Sequence, residues 1–385
     1  MLLGGLIVVS IALSYALNKI FIRFSERLNA LNQANTSGQI RWASHSKPLV
    51  GGITFFLVFL FAALFYYASP WFAGEASDNG MLALLTIGSI GFLVGLADDA
   101  YTTQPFLKFL GQFACGVAMI VFGASIDLFG TPWLDYPLTL LWVVGIMNSI
   151  NMLDNMDGVT GSVSLGILFI SSCIMLVTGA ELGAVQVSAM VLIGTLVGFL
   201  YLNWNPSKLF MGDTGSQFLG AVLAFYGIQF FWNLPQGEGE WVFVQKIFMP
   251  VLAFLMPILD TSFVTVARLR RGQSPFMGGK DHTTHHLSYL GLSQKLIPVV
   301  TLSVTLLSGG LVLATVVFIE TWSAVSMALN LLYVVLIFGL FYFLYQRGNY
   351  INKLKSLKAK RKELHQARLA AQEHKELVSA TLSEN

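Results

Sequence analysis

Asp98 and Asp99 close an otherwise uncharged run, GFLVGLADDA. Two adjacent carboxylates repel each other unless a cation stands near them. Lys108 and Gln112 follow, four residues apart and therefore on one face of a helix. An acidic pair with a lysine suits work on phosphate and Mg²⁺. A second constellation is NSINMLDNMDG, in which Asn148, Asn151, Asp154 and Asp157 recur every third residue and Asn155 adds a further amide. On a helix this spacing draws a slowly drifting polar stripe along nearly one side. Amide oxygens and carboxylates suit a hard cation, and also the donors of a sugar or base. A polar seam between helices is the alternative reading, since such groups need partners in apolar surroundings.

A third segment, KLFMGDTGS, has glycines that permit close backbone approach and places Asp213 where an apolar run begins. Such a turn can aim N–H groups at an anion while the carboxylate holds metal. Asn203 lies just upstream, and Phe210 can either stack on a flat ring or pack. A fourth, the loop 267–295, carries Arg268, Arg270 and Arg271, then His282, His285 and His286. Guanidinium groups grip phosphate bidentately. No cysteine accompanies the histidines, so oxygen-loving Mg²⁺ fits the nearby acids better than zinc does. Asp260, in a Pro-x-x-Asp-Thr step before that loop, is expected to orient it. In the first long loop, His45 and Lys47 precede a Gly-Gly helix start, where either could meet phosphate.

The elements that must position these residues are membrane helices. Of 385 residues, 55% are hydrophobic and 11% are charged, against roughly 25% charged in a soluble domain. Spanning takes about 20 mostly apolar residues. Eleven runs are expected to span, near 1–18, 49–68, 81–97, 106–123, 137–153, 160–178, 186–202, 215–232, 243–266, 296–318 and 322–345. The in-and-out alternation of a barrel is absent, which predicts an all-α integral membrane bundle. The first run lacks a following small-residue cleavage site and reads as a retained helix. With the N-terminus out and the C-terminus in, every Lys and Arg except Lys246 falls inside, while Glu75, Asp78, Asp127, Asp135, Glu181, Glu238, Glu240 and Glu320 fall outside. Asp98, Asp99, Asp154, Asp157, Asp213 and Asp260 then share the inner side, where carboxylates this costly argue for a metal and polyanion site.

Residues 1–346 read as one transmembrane catalytic domain. Residues 347–385 read as a basic tail, either an amphipathic helix on the anionic leaflet or a partly disordered segment. Cys115 and Cys173 fall within spans and read as packing residues.

Together these segments resemble the polyprenyl-phosphate N-acetylhexosamine-1-phosphate transferases. The resemblance runs from about His45 to Ser293 and rests on five motifs in order. They are the Asp-Asp pair with its downstream Lys and Gln, the Asn-x-x-Asn-x-x-Asp-x-x-Asp-Gly run, Asn203 with Phe-Met-Gly-Asp-x-Gly-Ser, the Pro-x-x-Asp-Thr step, and the histidine loop. It implies that Asp213 and Asn151 hold Mg²⁺, with Mn²⁺ as the alternative ion. It implies Asp98 and Asp99 at the reaction centre and a phosphate contact for Lys108. Asn203, Asp154, Asp157 and Phe210 would lie near the nucleotide, the loop of His282, His285 and His286 would close over the substrate, and Asn148, Arg271 and Lys47 are further expected substrate contacts. The family loop commonly reads His-x-His-His, whereas two threonines separate His282 from His285 here, which favours His285 and His286 as the contacts. Leu287 stands where the phospho-muramoyl-pentapeptide branch usually has Glu, so the chain looks more like the branch that transfers N-acetylglucosamine-1-phosphate to undecaprenyl phosphate. The expected partners are a UDP-N-acetylhexosamine, undecaprenyl phosphate in the inner leaflet of a bacterial cytoplasmic membrane and the surrounding lipids. A homodimer is allowed, and no nucleic acid is called for. A transporter is the rival from another class, since intramembrane carboxylates also mark ion pathways. Transporters place them near the midplane, often in two related halves.

Overall fold

The computed structural model describes residues 2–27, 47–69, 79–179, 183–234, 241–275, 278–319 and 322–383. His45 and Arg41 lie outside the described residues, as do Glu75, Asp78, Glu181, Glu238, Glu240 and Glu320. The described chain is helical: α1 (Leu2–Arg27), α2 (Gly51–Ala68), α3 (Asn79–Tyr101), α4 (Pro105–Val121), α5 (Pro132–Leu153), α6 (Val159–Val177), α7 (Ala184–Asn203), α8 (Gly212–Gly227), α9 (Val242–Ala253), α10 (Leu255–Arg270), α11 (Thr283–Tyr289), α12 (Ile297–Phe318) and α13 (Ala324–Ser383). Its one strand-like feature among the described residues is a parallel bridge between Leu49 and Phe210.

Each expected span falls on a helix, but their reach differs. Among the described residues, eight helices are long and apolar enough to cross a membrane, or nine if the α9–α10 pair is one span. The chain is a multi-pass membrane protein. α4 has 17 residues and α8 has 16, short of the roughly 20 that a free span needs. α8 is central. Every residue from Thr214 to Gly227 is buried, and α2, α3, α5 and α6 pack around it. It continues into a π-helical turn, Ile228–Trp232.

Residues 243–266, expected as one span, form two helices bent by 80° at Phe254. Pro257 explains the break. It lacks an N–H and therefore fits the first turn of a new helix, where donors go unpaired anyway, better than the interior of a continuous one. α13 runs through the expected 346/347 boundary as one 60-residue helix.

One end of the bundle gathers the functional segments. There α2 starts against the start of α8, with Gly52 beside Gly215. The N–H groups of Gly51 and Gly52 donate to the Phe210 and Met211 carbonyls. The end of α5 meets the starts of α6 and α12, and Gly158 lies beside Pro298. Lys246 lies elsewhere and donates to the Asp127 carbonyl at 2.7 Å. Helix association in lipid gains little from the hydrophobic effect and depends on close packing and interhelical hydrogen bonds. The site uses both.

Candidate active site

The site starts from an unusually close approach of α3 to α8. A Cβ on Gly95 would stand 2.2 Å from the Asp213 carbonyl oxygen, so only glycine lets the end of α3 lie against the first turn of α8. Gly212 has φ +71°, and a Cβ there would stand 2.5 Å from Asp99 Oδ2. Those two glycines admit the Asp99 carboxylate to the N-terminus of α8. Asp99 Oδ1 accepts from the Asp213 N–H at 3.0 Å, and Oδ2 accepts from the Thr214 N–H at 2.8 Å and its hydroxyl at 2.7 Å. The N-cap residue of α8, Met211, supplies no side-chain cap of its own. Asp99 is therefore a cap delivered from another helix, worth about 1 kcal/mol. The sequence placed both carboxylates at the reaction centre, whereas here Asp99 holds Asp213 in position and Asp98 faces the lysine.

Around Lys108 three side-chain oxygens converge. Its Nζ donates to Asp98 Oδ2 at 2.7 Å, Asn151 Oδ1 at 3.0 Å and Asp213 Oδ2 at 3.2 Å. Asp98 Oδ1 accepts from the Thr103 N–H and hydroxyl at 2.9 and 2.7 Å. Asn151 Nδ2 donates to Asp213 Oδ1 at 2.7 Å and to Ser216 Oγ at 2.8 Å. The ends of α3 and α5 and the starts of α4 and α8 thus meet at a cation held by three oxygens. Among the described residues no three His, Cys, Asp or Glu side chains form a closed metal cage. The oxygen-only set is nonetheless what Mg²⁺ takes, since it commonly uses one or two carboxylates and completes its shell with water and substrate phosphate.

The polar stripe divides in two. Asn148, expected to bind substrate, is one rung of an amide ladder. Its Nδ2 donates to Gln112 Oε1 at 2.7 Å, and Gln112 Nε2 donates to Asn148 Oδ1 at 3.2 Å and Gln217 Oε1 at 3.1 Å. The ladder ties α4, α5 and α8 together behind the reaction centre, at about 0.6–2 kcal/mol per bond in a membrane. The polar-seam reading of the stripe describes Asn148, whereas Asn151 faces Lys108 and Asp213.

Beyond α5 a second cluster forms. Asp157 Oδ2 accepts from Asn205 Nδ2 at 3.0 Å and the Ser207 N–H at 3.2 Å, and it lies 3.8 Å from Lys47 Nζ. Lys47 donates to Ser207 Oγ at 2.7 Å and stands 5.0 Å from the centre of the half-buried Phe210 ring. A cation, a carboxylate and an aromatic face are thereby presented together. Asp154 ends α5 and is half-buried. Asn203 is 5% exposed and has both amide atoms committed. Its Oδ1 accepts from the Gly158 N–H and its Nδ2 donates to the Leu209 carbonyl, each at 2.9 Å. Asn203, expected near the nucleotide, braces the loop that carries Phe210.

The histidine loop docks on the same end. Thr284 Oγ donates to Asn155 Oδ1, one turn beyond Asn151. Arg268, buried, donates to Asp281 from Nε at 3.2 Å and from a terminal nitrogen at 2.8 Å, and to the Pro275 carbonyl at 2.6 Å. The half-exposed Arg271, expected on substrate, also donates to Asp281. Behind the loop, α13 passes so close that Gly348 meets His286, whose ring lies 3.9 Å from that of Tyr345.

Burial pushes His285 down to about 3 and His286 down to about 4, from an ordinary 6.5. Burial alone would raise Asp281 above 3.8, but hydrogen bonds and charge from Arg268, helped by Arg271, bring it to about 2. An unfolded chain takes up protons at both imidazoles below 6.5, while the folded one resists until about 4 and 3, so folding stability drops as pH falls through that window. Asp281 contributes fully above 3.8 and fades only toward 2, so it does not offset the loss. The apparent Tm of the detergent-solubilised protein is expected to fall between pH 7 and pH ~4.5, and less so in a His285→Gln/His286→Gln double variant. Equal slopes in the two proteins would contradict this.

Residues 81–231 match glycosyl transferase family 4. A Bacillus subtilis (strain 168) protein, "Probable undecaprenyl-phosphate N-acetylglucosaminyl 1-phosphate transferase", is 29% identical over 301 residues, which cover 75% of this chain and 78% of that one. A Mycobacterium leprae (strain TN) "Decaprenyl-phosphate N-acetylglucosaminephosphotransferase" is 28% identical over 64% of this chain and 68% of its own length. A Thermoanaerobacter sp. (strain X514) "Phospho-N-acetylmuramoyl-pentapeptide-transferase" is 30% identical over 56% of this chain and 72% of its own. The chain belongs to the polyprenyl-phosphate N-acetylhexosamine-1-phosphate transferases. The family match contains the whole lysine centre, Asp157, Asn203 and Phe210, while Lys47 and the histidine loop lie outside it. In this transferase, the sequence motifs leave out Thr103 and Ser216 beside the centre, Asn205 and Ser207 on Asp157, and Asp281 in the loop. The buried Arg268 had a signal, its place among three clustered arginines, but nothing in the sequence told which of them turns inward.

Proposed function

We propose that this chain transfers N-acetylglucosamine-1-phosphate from its UDP-sugar to undecaprenyl phosphate and releases UMP. The observation that carries this reading is the meeting of Asp98, Lys108, Asn151 and Asp213 at one end of the bundle. The name borne by the Bacillus subtilis relative supports the sugar and the lipid. The basic residues around that end, from Arg268 to Lys295 and beyond Arg347, support a cytoplasmic location in a bacterial inner membrane.

An oxygen of the lipid phosphate attacks the β-phosphorus of the UDP-sugar, and the bond to the α-phosphate oxygen breaks. One phosphoanhydride replaces another, and the barrier is the approach of two anions. The lipid phosphate, with a second pKa near 6, is already largely dianionic at neutral pH, so direct attack needs little help from a base. Lys108 offsets the developing charge through an ammonium that three oxygens fix in place. Asp213 and Asn151 would hold Mg²⁺ (Mn²⁺ as a substitute), which supplies Lewis-acid neutralisation of the phosphates. Asp98 positions Lys108. Lys47, Asp157 and Phe210 offer a charge, an acceptor and a ring face to the nucleotide.

In proteoliposomes, UMP release is expected only when UDP-N-acetylglucosamine, lipid phosphate and Mg²⁺ are all present, with UDP-MurNAc-pentapeptide inert. Turnover of the pentapeptide substrate alone would reassign the sugar. Failure of every UDP-sugar in a panel would overturn the reading. Label from the sugar phosphate trapped on the protein without lipid would replace direct attack by a covalent route through Asp98.

A further inference from the structure

Asp260 sits in α10, fully buried, in a part of the chain the reaction centre does not use. Its Oδ1 accepts two hydrogen bonds from Thr283, the N–H at 2.8 Å and the hydroxyl at 2.6 Å. Its Oδ2 lies 2.8 Å from His282 Nδ1. It therefore caps α11, whose own N-cap residue is His282 and supplies no cap bond. The same carboxylate also grips that histidine's ring. A carboxylate facing Nδ1 requires Nδ1 to carry the hydrogen, which decides what Nε2 can do.

We propose that Asp260 is a positioning residue for the transfer reaction, fixing His282 with Nδ1 as the donor to Asp260 and Nε2 as the atom that meets a substrate phosphate. This rests on the proposed function for the substrate and on the hydrogen bonds alone for the tautomer. It shifts weight to His282 from His285 and His286, which the sequence favoured. His282 is oriented by a partner fixed in its turn by Thr283, as a catalytic imidazole is oriented elsewhere.

Asp260→Asn tests this because it keeps the shape. The two donors of Thr283 still demand an oxygen, which turns the amide NH₂ toward His282. An NH₂ cannot face an N–H, so the ring must move its hydrogen to Nε2. The expected result is a kcat lowered by about 10²-fold or more with KM for the UDP-sugar little changed. In a His282→Gln background the same substitution is expected to have no further effect, because Asp260 acts through that ring. Thr283→Val, which removes the hydroxyl cap bond but leaves the Thr283 N–H on Asp260 and the tautomer, is expected to lower Tm and to cost kcat far less than Asp260→Asn does. Equal losses in both backgrounds, or a Thr283→Val loss matching that of Asp260→Asn, would overturn the proposal. Should Asp260→Asn fail to fold, ¹⁵N-histidine spectra of the wild-type protein, with His282 assigned by its loss in His282→Gln, still decide. A protonated Nδ1 is expected, and an Nε2–H neutral ring overturns the idea. A wild-type protein that releases no UMP would sink the proposed function and leave this tautomer measurement standing.

Discussion

Asp213→Asn is expected to leave a folded, membrane-inserted protein whose UMP release is lowered by about 10³-fold, since neutralising phosphate charge is worth several kcal/mol and each 1.36 kcal/mol is tenfold. Asp213 touches every part of the centre. Its Oδ2 lies on Lys108, its Oδ1 on Asn151, and its backbone N–H on Asp99. The backbone contact survives the substitution, so the cap of α8 persists and the fold should hold. What is lost is one negative charge and one acceptor toward Lys108. Steady-state UMP release beside a thermal melt separates the two effects. Near-wild-type turnover in a well-folded variant would remove Asp213 from the metal site.

For Lys108→Ala the expected loss is about 10²–10³-fold, the cost of one preorganised donor to developing anionic charge. Lys108→Arg is expected to rescue little. The three acceptors lie 2.7, 3.0 and 3.2 Å from one nitrogen, an arrangement made for a compact ammonium. A planar guanidinium spreads its donors in a fixed fork and cannot converge on that point. A Lys108→Arg protein as fast as wild type would show that charge alone matters and that the convergence of oxygens does not.

How far the sequence foretold this can be judged residue by residue. Helix faces were legible because a side chain's period fixes them. Asn151 and Lys108 stood on polar faces in apolar helices and had to find partners, which they found in each other. Asp213 at the start of an apolar run was legible as a charge at a helix end. Which helix ends meet was not legible, because that depends on packing between distant segments. Asp99 and Asp260 each cap a helix other than their own, and no local pattern marks a cap borrowed across the bundle. Asn203 has both amide atoms on backbone groups, which the sequence does not reveal because it cannot say which way an amide turns. The bend at Phe254 had a proline nearby, but hydropathy averaged over a window passes through it.

Mn²⁺ binding followed by electron paramagnetic resonance is the most direct test that four helix ends build one cation site. In the presence of UDP, wild-type protein is expected to hold one tightly bound Mn²⁺ with hyperfine coupling to phosphorus, displaced by Mg²⁺. Asp213→Asn should lose that signal, and Asp260→Asn should keep it. Tight, phosphorus-coupled Mn²⁺ in Asp213→Asn as strong as in the wild type would contradict the assembly of the centre around Asp213 and Lys108.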